Sequence, residues 1–174
     1  MLGCPSMNGP GDDPFESLLR SHRRLEERLA DLNQASVTGD VGAVFDVLGF
    51  FDRAVARHEQ DEERSLFPRL GGVAELEGVL ARLAAEHREH ERLHAELRAL
   101  AEPWEGRAPD EAELNRLGRI AGDLEAAYRS HIHEEEKVLF PAARAQLDAA
   151  ALAAIVDEMA ARRPNRGQGG RNPR

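Results

Sequence analysis

The segments His58-Glu-Gln-Asp-Glu62-Glu63-Arg-Ser-Leu66-Phe67-Pro68 and His131-Ile-His-Glu-Glu135-Glu136-Lys-Val-Leu139-Phe140-Pro141 are near copies of one another. Each sets a histidine four residues ahead of a glutamate and closes on Leu-Phe-Pro. In a helix that spacing stacks imidazole and carboxylate on one face, about one turn apart. A repeated pair of this kind reads as two halves of one metal site.

Working outward, the periodicity around each copy is helical. Asp13-Pro14-Phe15-Glu16 predicts a helix start, with Asp13 as cap, Pro14 at the first helical position and Glu16 placed for a capping box. Phe15, Leu18, His22, Leu25, Leu29 and Leu32 then follow at spacings of three and four, a single inward stripe. Thr38-Gly39-Asp40 breaks the chain. A second helix carries Val44, Leu48, Phe51, Val55, His58 and Glu62 and is expected to end near Pro68.

After Gly71-Gly72 a third helix has Leu76, Leu80, Leu83, His87, His90, His94 and Leu97 in phase. A polar loop from Pro103 to Pro109 leads to the capping box Asp110-Glu-Ala-Glu113 and a fourth helix bearing Leu114, Leu117, Ala121, Leu124, Tyr128, His131, Glu135 and Val138. A shorter helix is expected after Asp148, with Leu152, Ile155, Val156 and Met159 as its apolar face. These elements predict an all-α fold, an antiparallel up-down-up-down four-helix bundle with a short extra C-terminal helix. Residues 12–162 form the expected domain, between a disordered leader at 1–11 and a disordered basic tail at 163–174.

Composition agrees with a helical chain and limits its partners. The net charge of −9 argues against general nucleic-acid binding, which rests on neutralising phosphates. Lys137 is the only lysine, and the arginines are interleaved with acids along the helices. The single cysteine, Cys4, excludes an intramolecular disulfide, and its Gly/Pro-rich surroundings lack the apolar core of a signal peptide. No apolar run approaches membrane-spanning length. A soluble, cytoplasmic protein with no nucleic-acid or membrane partner is the expectation.

The internal repeat relates the helices in pairs. Helices one and two align with three and four, so that His22 falls opposite His87, His58 opposite His131 and Glu62 opposite Glu135. A pseudo-twofold axis along the bundle brings both His/Glu sets to one depth. Six of the seven histidines lie on inward stripes, and only His133 is out of phase. No lysine or arginine shares those stripes to neutralise Glu62 and Glu135. Burying one unpaired carboxylate costs roughly several kcal/mol, so cations are the natural counter-charge. Imidazole and carboxylate without thiolate suit iron, manganese or zinc. At least six ligands exceed the four of a closed zinc site and fit two metals bridged by the glutamates, with a position left open.

On these residues the sequence resembles the hemerythrin-like family, the HHE cation-binding domains, over about residues 12–143. The family pattern has a histidine on helix one, HxxxE on helix two, one or two histidines on helix three, and a histidine with a carboxylate on helix four. Here these are His22, His58 and Glu62, His87, and His131 and Glu135. The resemblance implies two non-heme iron ions, oxo- or hydroxo-bridged, with Glu62 and Glu135 also bridging. One iron would take His22 and His58, and the other His87 and His131.

Helix three departs from the pattern of the oxygen carriers. His90-x-x-x-His94 has their HxxxH spacing, but His87 is the residue that mirrors His22. His87 and His94 lie about 10.5 Å apart along the axis and cannot share an ion. His87 is therefore the favoured ligand, His90 an optional fifth nitrogen, and His94 a supporting or packing residue. Tyr128 can pack, bind iron or hydrogen-bond a bound ligand, with packing the simplest reading. His133, Glu134 and Glu136 are expected to face solvent.

The function implied is handling of a small diatomic or peroxide ligand: binding, sensing or detoxification of O2, peroxide or nitric oxide. Two other classes stand beside it. One is iron donation to damaged iron–sulfur clusters, which the resemblance ties to relatives with a cysteine-bearing N-terminal domain, whereas Cys4 here lies in a short leader. The other is a non-enzymatic iron or redox sensor, which would need a separate protein partner.

Overall fold

The computed structural model describes residues 13–163. The expected leader therefore lies outside the described residues, as does the expected tail apart from Arg163. Helix α1 spans Pro14–Thr38. Asp13 caps it, its carboxylate accepting from the Phe15 N–H at 2.9 Å. Gly39 ends it in the left-handed region, at φ 72°, with its N–H on the Ala35 carbonyl. That conformation favours glycine because a Cβ would be strained there. Asp40 then caps α2 through the Ala43 N–H.

Helix α2 runs over residues 41–70, α3 over Glu77–Ala101, α4 over residues 111–146, and the short α5 over Ala149–Ala161. The Asp110–Glu113 capping box closes in both directions at the start of α4. Asp148 caps α5 through the Ala151 N–H. Helix α1 packs on α2 and α4, and α3 packs on the same two, as an up-down-up-down bundle requires. No helix among the described residues is long and apolar enough to cross a membrane.

The long helices are not regular, and the irregularities explain the Leu-Phe-Pro endings. Residues Glu62–Leu66 and Glu135–Leu139 form wide π turns, each beginning at a repeated glutamate. In them the Phe67 N–H reaches the Glu62 carbonyl, and the Phe140 N–H reaches that of Glu135. Pro68 and Pro141 have no N–H to give to the carbonyl four residues back, and their rings would clash with it in a regular helix. Widening the preceding turn relieves both problems. Helix α2 ends at Leu70, two residues past Pro68 and close to the expected end, whereas α4 carries on from Pro141 to Gln146. The extra residue per turn also lets adjacent side chains, Leu66 with Phe67 and Leu139 with Phe140, both point inward.

The core divides into two apolar clusters with a polar layer between them. One cluster holds Leu25, Leu29, Leu97, Leu124 and their neighbours. The other holds Phe15, Leu18, Leu66, Leu83 and Leu139, and α5 covers it with Ile155 and Met159. Helix α5 is locked to α2 beside Glu62, because buried Asp61 accepts from Arg162 and Arg163 at 2.9 Å each. Between the clusters sit His22, His58, Glu62, His87, His90, His131 and Glu135, all buried.

Candidate metal centre

Each helix of the bundle presents its ring or carboxylate to the same point. Helix α1 supplies His22 and α3 supplies His87, while α2 and α4 each supply a His/Glu pair one turn apart. The rings of His22 and His58 meet edge to face at 4.9 Å between centroids, and those of His87 and His131 lie 4.8 Å apart. The glutamates join the two ring pairs. Glu62 places Oε1 3.3 Å from His58 Nε2 and Oε2 3.5 Å from His87 Nε2. Glu135 places Oε1 3.3 Å from His131 Nε2 and Oε2 3.1 Å from His22 Nε2. Two four-residue groups result: His22, His58, Glu62 and Glu135, and Glu62, His87, His131 and Glu135. In each group the ligand atoms lie within 4.8 Å of one another.

These approaches do not have the directions of hydrogen bonds. All four carboxylate oxygens of Glu62 and Glu135 are buried without a hydrogen-bond donor, and so is His22 Nε2. The outer nitrogens explain why. His22 Nδ1 lies 2.9 Å from Glu136, His87 Nδ1 2.8 Å from Glu63, and His131 Nδ1 2.8 Å from Glu86. An ionised carboxylate only accepts, so each Nδ1 donates and each Nε2 is left as a lone pair turned inward. His87 Nε2 and His131 Nε2 then face each other at 3.2 Å. Two lone pairs at that separation repel unless a proton or a cation lies between them.

Without metal, protons take that role unevenly. Burial works against charge on His131, but the Glu135 carboxylate outweighs it and raises the ring to about 9. His22 is raised in the same way, against burial, by Glu135. Burial and the Glu135 charge push Glu62 well above the carboxylate range. Glu135 is held well below it by His131 and His22 in spite of burial. Cations in the centre would displace these protons and satisfy every inward lone pair at once. The donor set fits metal ions.

The residues around the centre make its walls. Phe140 stacks on His22 and Phe67 on His87, at 5.7 and 6.0 Å, so each Leu-Phe-Pro phenylalanine covers a ring from a neighbouring helix. His90 stands beside the second group, its ring 5.0 Å from that of His131, but it belongs to neither four-residue set. Its Nε2 is buried without a partner, and burial lowers it to about 3. His94 stacks on Phe51 at 4.0 Å, away from the centre. The Tyr128 hydroxyl lies 3.0 Å from His94 Nε2, and burial raises Tyr128 well above the ordinary phenol value. The hydroxyl therefore donates to His94 rather than turning to the centre.

The chain belongs to the hemerythrin HHE cation-binding domain family. The family model matches residues 13–161, nearly all of the described chain. Comparison with curated proteins gives no match. Membership in a hemerythrin family of cation-binding domains agrees with the two His/Glu groups, which can hold metal ions.

The expected residues His22, His58, Glu62, His87, His131 and Glu135 thus come together in this hemerythrin-family chain, with His90 alongside. His133 is exposed. Glu134 pairs with Arg82 at the surface. Glu136, expected to face solvent, is only 30 % exposed and holds His22 instead. Glu63 and Glu86 were not singled out in the sequence, nor was Glu59, whose Oε1 lies 3.4 Å from His90 Nδ1. One signal was available: both repeats read His-x-x-x-Glu-Glu, and the second glutamate of each, Glu63 or Glu136, supports a ring on a neighbouring helix.

Proposed function

We propose that this protein holds two non-heme iron ions between its four helices and uses them to bind a small diatomic or peroxide ligand. The observation that carries the reading is the convergence of inward lone pairs: four terminal imidazoles in two pairs, with each carboxylate spanning both pairs. Nitrogen and oxygen donors without sulfur suit iron. Iron pairs of this kind supply electrons and an open position for a ligand.

The chain's own residues do the rest. Glu62 and Glu135 hold the two positions at a set separation, and Glu63, Glu86 and Glu136 fix ring orientation from outside. Phe67 and Phe140 keep water from the rings they cover. His90 offers a further nitrogen on the His87 and His131 side, which makes the two positions unequal. A groove of about 670 Å³, lined by Glu59, Glu63, His87 and His94, gives that side an approach from the surface.

The test is metal content and optical response. Protein purified in air is expected to carry about two irons per chain, with visible absorption that bleaches on reduction and returns on exposure to oxygen. Absorption that never returns, together with peroxide turnover, would favour detoxification over reversible binding. Zinc alone, or less than one metal per chain, would sink the di-iron reading. Glu62→Ala and Glu135→Ala are each expected to lose metal, while His133→Ala keeps it. Loss of metal in His133→Ala would show that the helix faces were wrongly assigned.

A further inference from the structure

Besides His90, which has Leu25 as its counterpart, the two halves of the centre differ at one outer nitrogen. His22, His87 and His131 each give Nδ1 to a carboxylate at 2.8–2.9 Å, and His90 has Glu59 at 3.4 Å. His58 Nδ1 has no partner among the described residues, although the ring is only 7 % exposed. The pseudo-twofold relation shows what is missing. Glu86, which serves His131, precedes His87 on α3, and the matching residue before His22 on α1 is Ser21. The change shortens the side chain and removes the negative charge.

The surroundings change sign as well. His58 lines a cavity of about 340 Å³ between α1 and α2, together with Arg20, Ser21, Arg24, Arg57 and Arg163. A recess of about 40 Å³ shares Ser21, Arg24 and His58 with it. In the other half, the positions matching Arg20, Arg24 and Arg57 are Ala85, Glu89 and Ser130. No acidic residue lines the cavity among the described residues. Arg163 is paired with Asp61, but Arg20 and Arg24 have no carboxylate partner among the described residues. A concentration of arginine beside a buried, unpartnered imidazole is unusual in a chain of net charge −9.

We infer that this cavity binds a small phosphate-class dianion, held by Arg20, Arg24 and Arg57 beside the His58 ring. Arginine forks match the paired oxygens of phosphate. Arg57 also gives one N–H to the Arg53 carbonyl, but like Arg20 and Arg24 it has no carboxylate partner among the described residues, and three such charges suit a dianion better than a monocarboxylate. The effect on the centre rests on the metal reading: a dianion held beside His58 offsets the positive charge that a bound cation and the arginines concentrate there. Phosphate binding itself does not require metal.

Calorimetric titration of inorganic phosphate into the full chain, metal-loaded and metal-free, at constant ionic strength in chloride tests the site. One phosphate per chain is expected in both forms. Arg24→Gln should weaken it by about tenfold or more with helical content unchanged, and acetate should bind more weakly than phosphate. In the zinc-loaded protein, phosphate should shift the His58 ring resonances and leave those of His22 in place. Absence of saturable binding at millimolar phosphate in both forms would overturn the proposal, as would binding that survives Arg24→Gln combined with Arg57→Gln. Acetate binding as tightly as phosphate would overturn the dianion assignment. Binding that disappears with the metal and ignores the arginines would put the anion on the metals, which also overturns it.

Discussion

Individual side chains in the centre are constrained by what holds them from behind. Glu136 is partly exposed, yet it fixes the tautomer and angle of His22 by accepting from Nδ1. Glu136→Ala is expected to lower metal affinity by about 10- to 100-fold without unfolding the bundle, as measured by competition with a chelator. An unchanged affinity would reduce the contact to a surface pair. His94 tests a different property. Burial, followed by the nearby His90, lowers its ring to about 3, so it is neutral in the folded protein while the unfolded chain titrates near the ordinary 6.5. Between those values the unfolded state takes up a proton that the folded state refuses. This contribution to stability is complete above about pH 6.5 and is lost as pH falls toward 3. His94→Gln can still accept from Tyr128 but cannot titrate. The metal-free variant is expected to lose less stability than the parent over that interval, which denaturant titrations at several pH values would measure. Parallel curves would refute the role of His94.

At the scale of elements, each helix combines a local start signal with a non-local correction. The caps at Asp13, Asp40, Asp110 and Asp148 all form, since each carboxylate meets an N–H two or three residues on, but the capping box expected at Glu16 does not: Asp13 accepts from Phe15 instead. Asp110→Ala, which opens the only two-way capping box among the described residues, should cost about 1 kcal/mol in chemical denaturation and leave metal content unchanged. Loss of metal in that variant would mean that the α4 start controls the centre at long range. The π turns are the correction. Pro68 reads as a stop signal and α2 ends two residues later, whereas burial of Leu139 and Phe140 stabilises a widened turn that carries α4 past Pro141 to Gln146. The same packing sets Phe67 over His87 and Phe140 over His22, so the proline that disturbs one helix helps wall the ring of another.

For the whole molecule, the polar layer between the two apolar clusters is where stability and function meet. Seven buried His and Glu side chains, with Asp61 and Ser65 close by on α2, interrupt the apolar core, and α5 is fastened to α2 next to that layer. Metal ions that bind only the folded state add stability by mass action, about 2.7 kcal/mol for a site held at one hundred times its dissociation constant. The melting temperature is therefore expected to rise with added ferrous ion or zinc and to fall on chelation. A melting temperature indifferent to both would argue that the layer is satisfied by protons alone. The two halves share their four paired imidazoles and two glutamates but differ around them, with His90 and Glu86 beside His131 and arginines around His58. That difference gives a nearly twofold site two chemically distinct ends.

The sequence by itself determined the helices, the six residues that meet at the centre and the inward faces, except at Val138, which the π turn from Glu135 leaves exposed. These follow from spacing along one helix, and a repeat that places His and Glu four apart leaves little choice of face. The family resemblance was legible for the same reason, and the match over residues 13–161 bears it out. Tertiary structure alone decided which carboxylate oxygen faces which ring, and that Glu63, Glu86 and Glu136 stand behind the histidines of neighbouring helices. It also decided that Tyr128 turns to His94 and that His58 looks into a basic cavity. Those outcomes depend on the rotation and axial register of one helix against another, to within about an ångström of hydrogen-bond tolerance. Periodicity fixes a helix's buried face to about 100°, which is too coarse to choose between neighbouring partners.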